Sequence, residues 1–465
     1  MIATEPAVID ERAVHAALDT PARPDAARVR EALARARELN GLSFDDVTQL
    51  ASVEDPELLD EIFAAARWVK EEIYGSRLVL FAPLYVSNYC RNHCLYCGFS
   101  AGNTAVARKA LDQNEVAAEV RSIIGMGHKR VLLVAGEAYP HGRGLDYVLD
   151  CIDTIYNTKA GRGEVRRVNV NVAPLSVEDF RRLKAAAIGT YQLFQETYHH
   201  DTYARVHLRG PKADYGWRVS AMHRAMEAGI DDVGVGVLFG LYDWRFEMMA
   251  LMQHIQSLER EFGVGVHTIS VPRLEPADGA PLSSNSPYAV SDADFLKIIA
   301  ILRLAVPYTG MIMSTRENPA IRRETFRLGI SQISAGSRCD PGGYSMPRGA
   351  ATSQFQLGDH RSMDEVIHDI SEMGFMPSFC TACYRLGRTG RDFMDLAKPG
   401  EIKYHCEPNA MATFEEYLLD YASPRTREIG ERLIQIRLGE MDEGQHLLSN
   451  RQVEEVKSGK RDVFV

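Results

Sequence analysis

Residues 79–99, VLFAPLYVSNYCRNHCLYCGF, decide the fold. A β-rich run at 79–86 passes straight into a loop bearing Cys90, Cys94 and Cys97. A strand that ends in chemistry-bearing residues is the unit from which α/β barrels build their sites. Working outward, seven further β-rich runs follow, near 130–135, 166–172, 190–195, 232–238, 266–271, 308–313 and 330–334. Amphipathic helical stretches alternate with them, near 115–126, 144–157, 176–187, 213–228, 244–262, 291–305, 317–328 and 361–373. Eight strand–helix pairs predict a parallel (β/α)8 TIM barrel over residues 76–374. Residues 1–75 read as a helical extension. There Ser43-Phe-Asp-Asp46 resembles a capping arrangement, Asp55-Pro56 supplies a cap followed by proline, and Gly75 supplies a stop. Residues 375–465 read as a mostly helical C-terminal domain.

Composition narrows the function. The chain has 465 residues, with 53 Lys and Arg against 63 Asp and Glu, a formal net charge of −10. Such acidity argues against a general nucleic-acid or anionic-membrane binder, while leaving room for a local basic patch. No apolar run nears the roughly 18 residues of a membrane span; Val131–Ala135 is typical of the longest. The opening MIATEPAVIDER lacks a basic-then-apolar secretory pattern, so a cytoplasmic protein is expected. Eight cysteines could pair as disulfides, but a cytosolic compartment and a large core favour metal or redox chemistry.

Six of the eight cysteines form two groups. Cys90, Cys94 and Cys97 are spaced C-x3-C-x2-C, and Cys380, Cys383 and Cys406 are spaced C-x2-C-x22-C. Cys151 and Cys339 stand alone and read as small buried hydrophobes. Three thiolates within eight residues suit zinc or an iron–sulfur cluster. A structural zinc site wants four ligands, whereas a three-cysteine [4Fe–4S] cluster leaves one iron open. The second group has the same two readings: zinc completed by His405, or a second open-sited cluster set in the Arg-, Gly- and Lys-rich stretch Tyr384–His405.

The first cysteine spacing resembles that of radical S-adenosylmethionine (SAM) enzymes, in which the open iron chelates the cofactor. The resemblance implies that Phe99 approaches the adenine, that Gly136-Glu137 after the second strand receives the cofactor's amino group, and that Val237 and Leu238 line the adenine site. Further segments narrow it: Gln195-Glu-Thr-Tyr198-His199, Gly240-Leu-Tyr-Asp-Trp244, His267-Thr-Ile-Ser-Val-Pro-Arg273 and Ser331-Gln-Ile-Ser-Ala-Gly-Ser337. With both cysteine groups, these resemble the radical SAM tyrosine lyases that mature [FeFe]-hydrogenase, over about residues 25–455. The related tyrosine lyases of thiazole biosynthesis lack the C-terminal cysteines. A thiazole-type lyase with structural zinc there, and a non-enzymatic cluster carrier, are the competing readings.

That resemblance implies a reaction. A 5′-deoxyadenosyl radical abstracts a hydrogen from the amino group of L-tyrosine, giving p-cresol and dehydroglycine. A C-terminal auxiliary [4Fe–4S] cluster, with an extra iron held through a free cysteine, turns dehydroglycine into carbon monoxide and cyanide. The product is an Fe(CO)(CN) unit for the hydrogenase H-cluster. The partners implied are a reduced electron donor such as ferredoxin or flavodoxin and other hydrogenase maturation proteins, with no nucleic acid and no membrane. His267 matches the histidine that holds the extra iron. Arg316, flanked by Ser314 and Thr315, is the candidate for the tyrosine carboxylate, because a guanidinium fork matches a carboxylate. Arg273 is a second candidate. Glu196 is placed for the cofactor ribose, with a structural pairing to a barrel arginine as its other reading. An internal channel between the clusters is expected, since the intermediates are fragile in water.

Overall fold

The computed structural model describes residues 8–19, 25–345 and 352–465. Its centre is a closed parallel barrel of β1 (Arg77–Ser87), β2 (Arg130–Ala135), β3 (Arg167–Asn171), β4 (Tyr191–Gln192), β5 (Val233–Gly236), β6 (Thr268–Ser270), β7 (Gly310–Met313) and β8 (Gln332–Ser334). Closure comes from β1, which pairs with β2 through Ala82–Ser87 and with β8 through Val79–Phe81. The expected (β/α)8 architecture is the one observed.

Local chemistry sets the element ends. Asp112 and Ser362 each make a capping box with the glutamate three residues on, Glu115 and Glu365, so two barrel helices start where their orphan N–H groups find acceptors. Ser43 and Asp46 do the same in the N-terminal extension, and Asp55 caps the helix Pro56–Tyr74. That helix packs along the barrel helices Asp292–Ala305 and Pro319–Leu328 and on the C-terminal helix Ile402–Asp420, so the extension is a buttress to the wall.

Two sequence expectations change shape. The stretch 213–228 is two helices, Tyr215–Val219 and Ala221–Glu227, parted at Ser220. The fourth strand is ladder-paired only at Tyr191–Gln192, but Leu193 and Gln195 still donate to Gly234 and Gly236 carbonyls as the chain climbs to Glu196. Close packing demands glycine on β5. A Cβ at Gly234 would lie 2.4 Å from Thr268 Oγ1, and one at Gly236 would lie 2.7 Å from the Phe194 ring.

The C-terminal region is joined to the barrel. A ninth strand, β9 (Met376–Ser378), adds in parallel to the start of β1, with Arg77 opposite Met376. Helix Ile402–Asp420 then packs against β9 at the N-terminal mouth of the barrel. The buried carboxylate of Glu416 clamps it there, 2.6 Å from Arg166 and 3.0 Å from Lys129. No described helix is long and apolar enough to cross a membrane.

Candidate functional site

Two sites occupy the opposite mouths of the barrel. The C-terminal mouth opens on a cavity of about 1510 Å3, solvent at its entrance included, lined from nearly every strand end. Cys90, Cys94 and Cys97 project into it from the loop after β1, together with Phe99. Antiparallel backbone pairing holds this loop: Leu95 donates to the Val206 carbonyl, and His93 and the 208–209 segment exchange N–H bonds. Asn92 ties three parts together. Its side chain donates to Glu137 at 2.6 Å and accepts the Lys212 backbone N–H at 2.8 Å. Gly136 must be glycine, because a Cβ would lie 2.3 Å from the Tyr89 carbonyl oxygen.

The cysteines suit a cluster. Burial pushes the Cys94 thiol up to about 12 and raises Cys97 as well. Buried thiols of this kind become thiolates when a bound cation supplies the opposing charge. All eight cysteines are free, which sets disulfides aside. Among the described residues no three His, Cys, Asp or Glu side chains converge as a single-ion site requires. A zinc ion would draw its sulfurs to about 2.3 Å from one point; a polyatomic cluster is compatible with cysteines spread around one cavity.

Across the cavity, Glu196 sits in the left-handed region, with φ 75°. Its carboxylate accepts from Lys212 Nζ at 2.6 Å and lies 3.5 Å from Arg218. Burial pushes this carboxyl up, but Lys212 and Arg218 outweigh it and hold the group ionised, below the usual range. The structural reading of Glu196 is the one observed, a pairing with a barrel arginine, and a carboxylate so paired keeps lone pairs for further donors. Leu238 lines the cavity, whereas the Val237 side chain lies in the hydrophobic core. Only the backbone of Val237 can face a ligand.

Ser314, Thr315 and Arg316 line the same cavity from the end of β7. The Arg316 guanidinium stacks 3.3 Å over the Phe355 ring and has no carboxylate partner among the described residues. Arg273 is a correction. Its guanidinium is held by Glu317 (Nε to Oε1, 2.9 Å), Asp292 (2.8 Å) and the Val290 carbonyl (3.0 Å), away from the cavity lining. With four of its five N–H groups engaged, the guanidinium braces the β6 and β7 loops and has no fork left to offer a carboxylate. The sequence reading passed over Lys212, Arg218 and Glu275. Glu275 lines the cavity near Arg316 and accepts no hydrogen bond from a described residue, and burial pushes it up to about 7. Its only signal in sequence was the Arg273-Leu-Glu-Pro run following a strand.

The N-terminal mouth holds the second site. Cys380, Cys383 and Cys406 line one cavity with His267, Arg77, Arg130 and Tyr384. His267 precedes β6, so it lies at the mouth opposite the one where barrel chemistry is usual. Burial lowers its pKa, leaving a neutral imidazole. Cys406 is held below the ordinary thiol range by the hydrogen bond it receives from Cys383 and by facing Arg77, Arg388 and Arg130. Arg130 also donates to the Cys380 carbonyl at 2.8 Å. Two buried arginines, Arg77 and Arg130, with the half-buried Arg388 beyond them, make the three cysteines a site for an anionic group. Cys151 and Cys339 are both buried; Cys339 borders the upper cavity and donates to the Phe355 carbonyl.

The two cavities share no lining residue, yet they nearly meet. Val79, Arg130 and Gly310 line the lower one; Phe81, Leu132 and Ile312, each two residues further along the same strands, line the upper. The side chains of these two successive layers stand between them.

The family model of the radical SAM superfamily matches residues 84–254, and that of the Biotin and Thiamin Synthesis associated domain matches residues 270–376. The 2-iminoacetate synthase of Salmonella typhimurium is 34% identical over 345 residues, 73% of this chain and 88% of its own. A crystal structure of HydG, described as a maturase of the [FeFe]-hydrogenase, is 47% identical with a TM-score of 0.95, covering 98% of this chain and 100% of its own. The FeFe-hydrogenase maturase HydG from Carboxydothermus hydrogenoformans is 40% identical with a TM-score of 0.83, covering 95% and 97%.

Proposed function

The chain belongs to the radical SAM superfamily and, within it, to the HydG-type maturases of [FeFe]-hydrogenase, and on that premise we propose that it is a carbon–carbon lyase acting on L-tyrosine. The products are p-cresol and dehydroglycine, and the second site converts dehydroglycine to carbon monoxide and cyanide within an Fe(CO)(CN) unit. The observation that carries this reading is the second cysteine site, facing His267 across the barrel from the first. A lyase that released dehydroglycine would need no second site beyond a structural one.

Cys90, Cys94 and Cys97 would hold the SAM cluster, which with S-adenosylmethionine supplies a 5′-deoxyadenosyl radical. The chain's own residues bind and orient. Phe99 and Leu238 give the adenine apolar walls, Glu196 accepts from the ribose, and the Gly136–Glu137 end of β2 meets the cofactor's amino group. Arg316, stacked and unpaired, forks the tyrosine carboxylate, with Ser314 and Thr315 beside it. At the lower mouth Cys380, Cys383 and Cys406 would hold the auxiliary [4Fe–4S] cluster. His267 would ligate the extra iron, which a free cysteine links to that cluster. Side chains stand between the two cavities, so an internal passage would need their rotamers to change. A reduced ferredoxin or flavodoxin and further maturation proteins complete the cycle.

Anaerobic reconstitution tests the reading. About eight to nine irons per chain, with p-cresol, carbon monoxide and cyanide formed from tyrosine, are expected from two four-iron clusters and an extra iron. Cresol formed without carbon monoxide would reduce the protein to a tyrosine lyase with a structural second site.

A further inference from the structure

The outer face of the cysteine loop carries a feature at odds with the acidic chain around it. No Asp or Glu occurs between residues 73 and 111, nor between residues 202 and 213. These two stretches are brought together by the backbone pairing of His93–Leu95 with Val206–Arg209. Cys94 and His207 face inward from that ladder and are buried. On its outside Tyr89, Leu95 and Leu208 are 44%, 41% and 54% exposed. Arg91 and Arg209, also exposed, adjoin them: Gly210 packs so tightly on Arg91 and Asn92 that a Cβ would lie 2.6 Å from the Arg91 carbonyl oxygen. Neither arginine is in an ion pair among the described residues, though Arg91 donates to the Glu137 carbonyl and Asn92 beside it holds the Glu137 carboxylate; Asp201 and Asp214 lie only at the ends of the second stretch.

We propose that this apolar, cationic face is the docking site of an acidic one-electron carrier protein. A protein of net charge −10 repels an acidic partner everywhere except where a local cationic patch reverses the field. Three exposed apolar side chains flanked by two arginines outside any ion pair form a small interface with a dry centre and a charged edge. Position gives the purpose: Leu95 is joined directly to Cys94, so a carrier seated there lies against the loop that would hold the SAM cluster. One electron leaves the carrier, which is oxidised by one, and the cluster is reduced by one. The inference rests on membership of the radical SAM superfamily and not on the identity of the substrate.

Reconstituted holoenzyme and a reduced flavodoxin test it, by titration calorimetry at low and high salt. Arg209→Glu and Leu208→Ser, made separately, should each raise the Kd at least tenfold at low salt, and Arg209→Glu should flatten its salt dependence. SAM cleavage driven by dithionite, which needs no docking face, should be unchanged in both. A Kd within twofold of wild type overturns the proposal. So does equal weakening by Arg432→Glu, a charge reversal on the distant helix Pro424–Glu440, which would mean that only net charge matters. Salt-dependent self-association of the wild type that Arg209→Glu abolishes also overturns it, assigning the face to a second copy of the chain.

Discussion

The Nδ1 atom of His267 lies 3.5 Å from Asp232 Oδ1 at the N-terminal mouth of the barrel. At that separation no hydrogen bond is closed and the imidazole is neutral, while the ring borders the cavity of Cys380, Cys383 and Cys406. Asp232 is itself fixed by the Gly390 N–H at 3.1 Å. A carboxylate behind a histidine sets the tautomer and aim of a ligating nitrogen, and its loss typically costs about 10–100-fold in metal affinity. Asp232→Asn should therefore lower the occupancy of the extra iron while both four-iron clusters and cresol formation persist. Iron analysis with electron paramagnetic resonance of the reduced protein checks this.

Arg316 predicts a binding defect. Its guanidinium is oriented by the Phe355 ring and unpaired, so nothing must be broken for it to take a carboxylate. Arg316→Ala should raise the KM for tyrosine by roughly 10–100-fold, the worth of about 1.5–3 kcal/mol for hydrogen bonds to a charged group. Arg316→Lys should recover little of this, since an ammonium cannot fork. Steady-state cresol assays at varied tyrosine measure both.

Glu275 predicts a pH effect. Of the acids lining the upper cavity, Glu137 and Glu196 accept from Asn92 and Lys212, whereas Glu275 accepts from no described residue. Burial and the nearby Glu317 carboxylate push it up to about 7, against the pull of Arg316 and Arg273; Asp292 raises it a little further. On the proposed reaction, the ammonium of a tyrosine whose carboxylate Arg316 forks would lose a proton before its nitrogen yields a hydrogen atom, and Glu275, near Arg316, would take it. Glu275→Gln should lower kcat at least tenfold and abolish the limb near pH 7 on which wild-type activity rises with pH.

What the sequence made legible follows from spacing. C-x3-C-x2-C and C-x2-C-x22-C are local patterns, and local spacing survives folding. So do hydrophobic periodicity and caps such as Ser43 and Asp55, which is why the eight strand–helix pairs could be placed. Arg273 and Val237 show the limit. Both follow strands, where a barrel puts its chemistry, but whether an arginine is free depends on acids such as Glu317 and Asp292, far away or on another element. Lys212 and Glu275 were missed for the converse reason: each stands in a loop with no motif, and only tertiary contact gives it a role. That the second cysteine group lies under the barrel, facing His267, needed the pairing of β9 with β1.

The division between the sites predicts a separation of function. Cys406→Ser removes a thiol, the proposed cluster ligand, at the lower mouth only, and helix Ile402–Asp420 remains anchored by Glu416 to Arg166 and Lys129. Cresol formation should persist near the wild-type rate while carbon monoxide falls below detection. Cys94→Ala should abolish both. Carbon monoxide trapped by a ferrous haem protein, beside cresol by chromatography, reads the two activities in one sample. Normal carbon monoxide from Cys406→Ser would end the two-site division.

Glu247 ties stability to pH through the upper site. Fully buried on helix Trp244–Phe262, it accepts the Tyr198 N–H at 2.8 Å and the Thr197 hydroxyl, and so grips the turn in which Glu196 holds its left-handed φ. Burial is the largest influence and pushes its carboxyl up to about 8, from an ordinary 4.5. Between those values the folded protein keeps a proton that the unfolded chain has released. The stability linked to that proton is therefore fully present below about pH 4.5 and is lost as pH rises through about 8. The loss is on the order of a few kcal/mol. Glu247→Gln cannot ionise, and its amide can still meet both partners if the Thr197 hydroxyl turns to accept. The variant should unfold below the wild type at pH 5, by the cost of an imperfect hydrogen bond, and above it at pH 9. Thermal unfolding midpoints measured across that range should cross; parallel curves would mean that Glu247 is ionised in the folded state and held there by a cation.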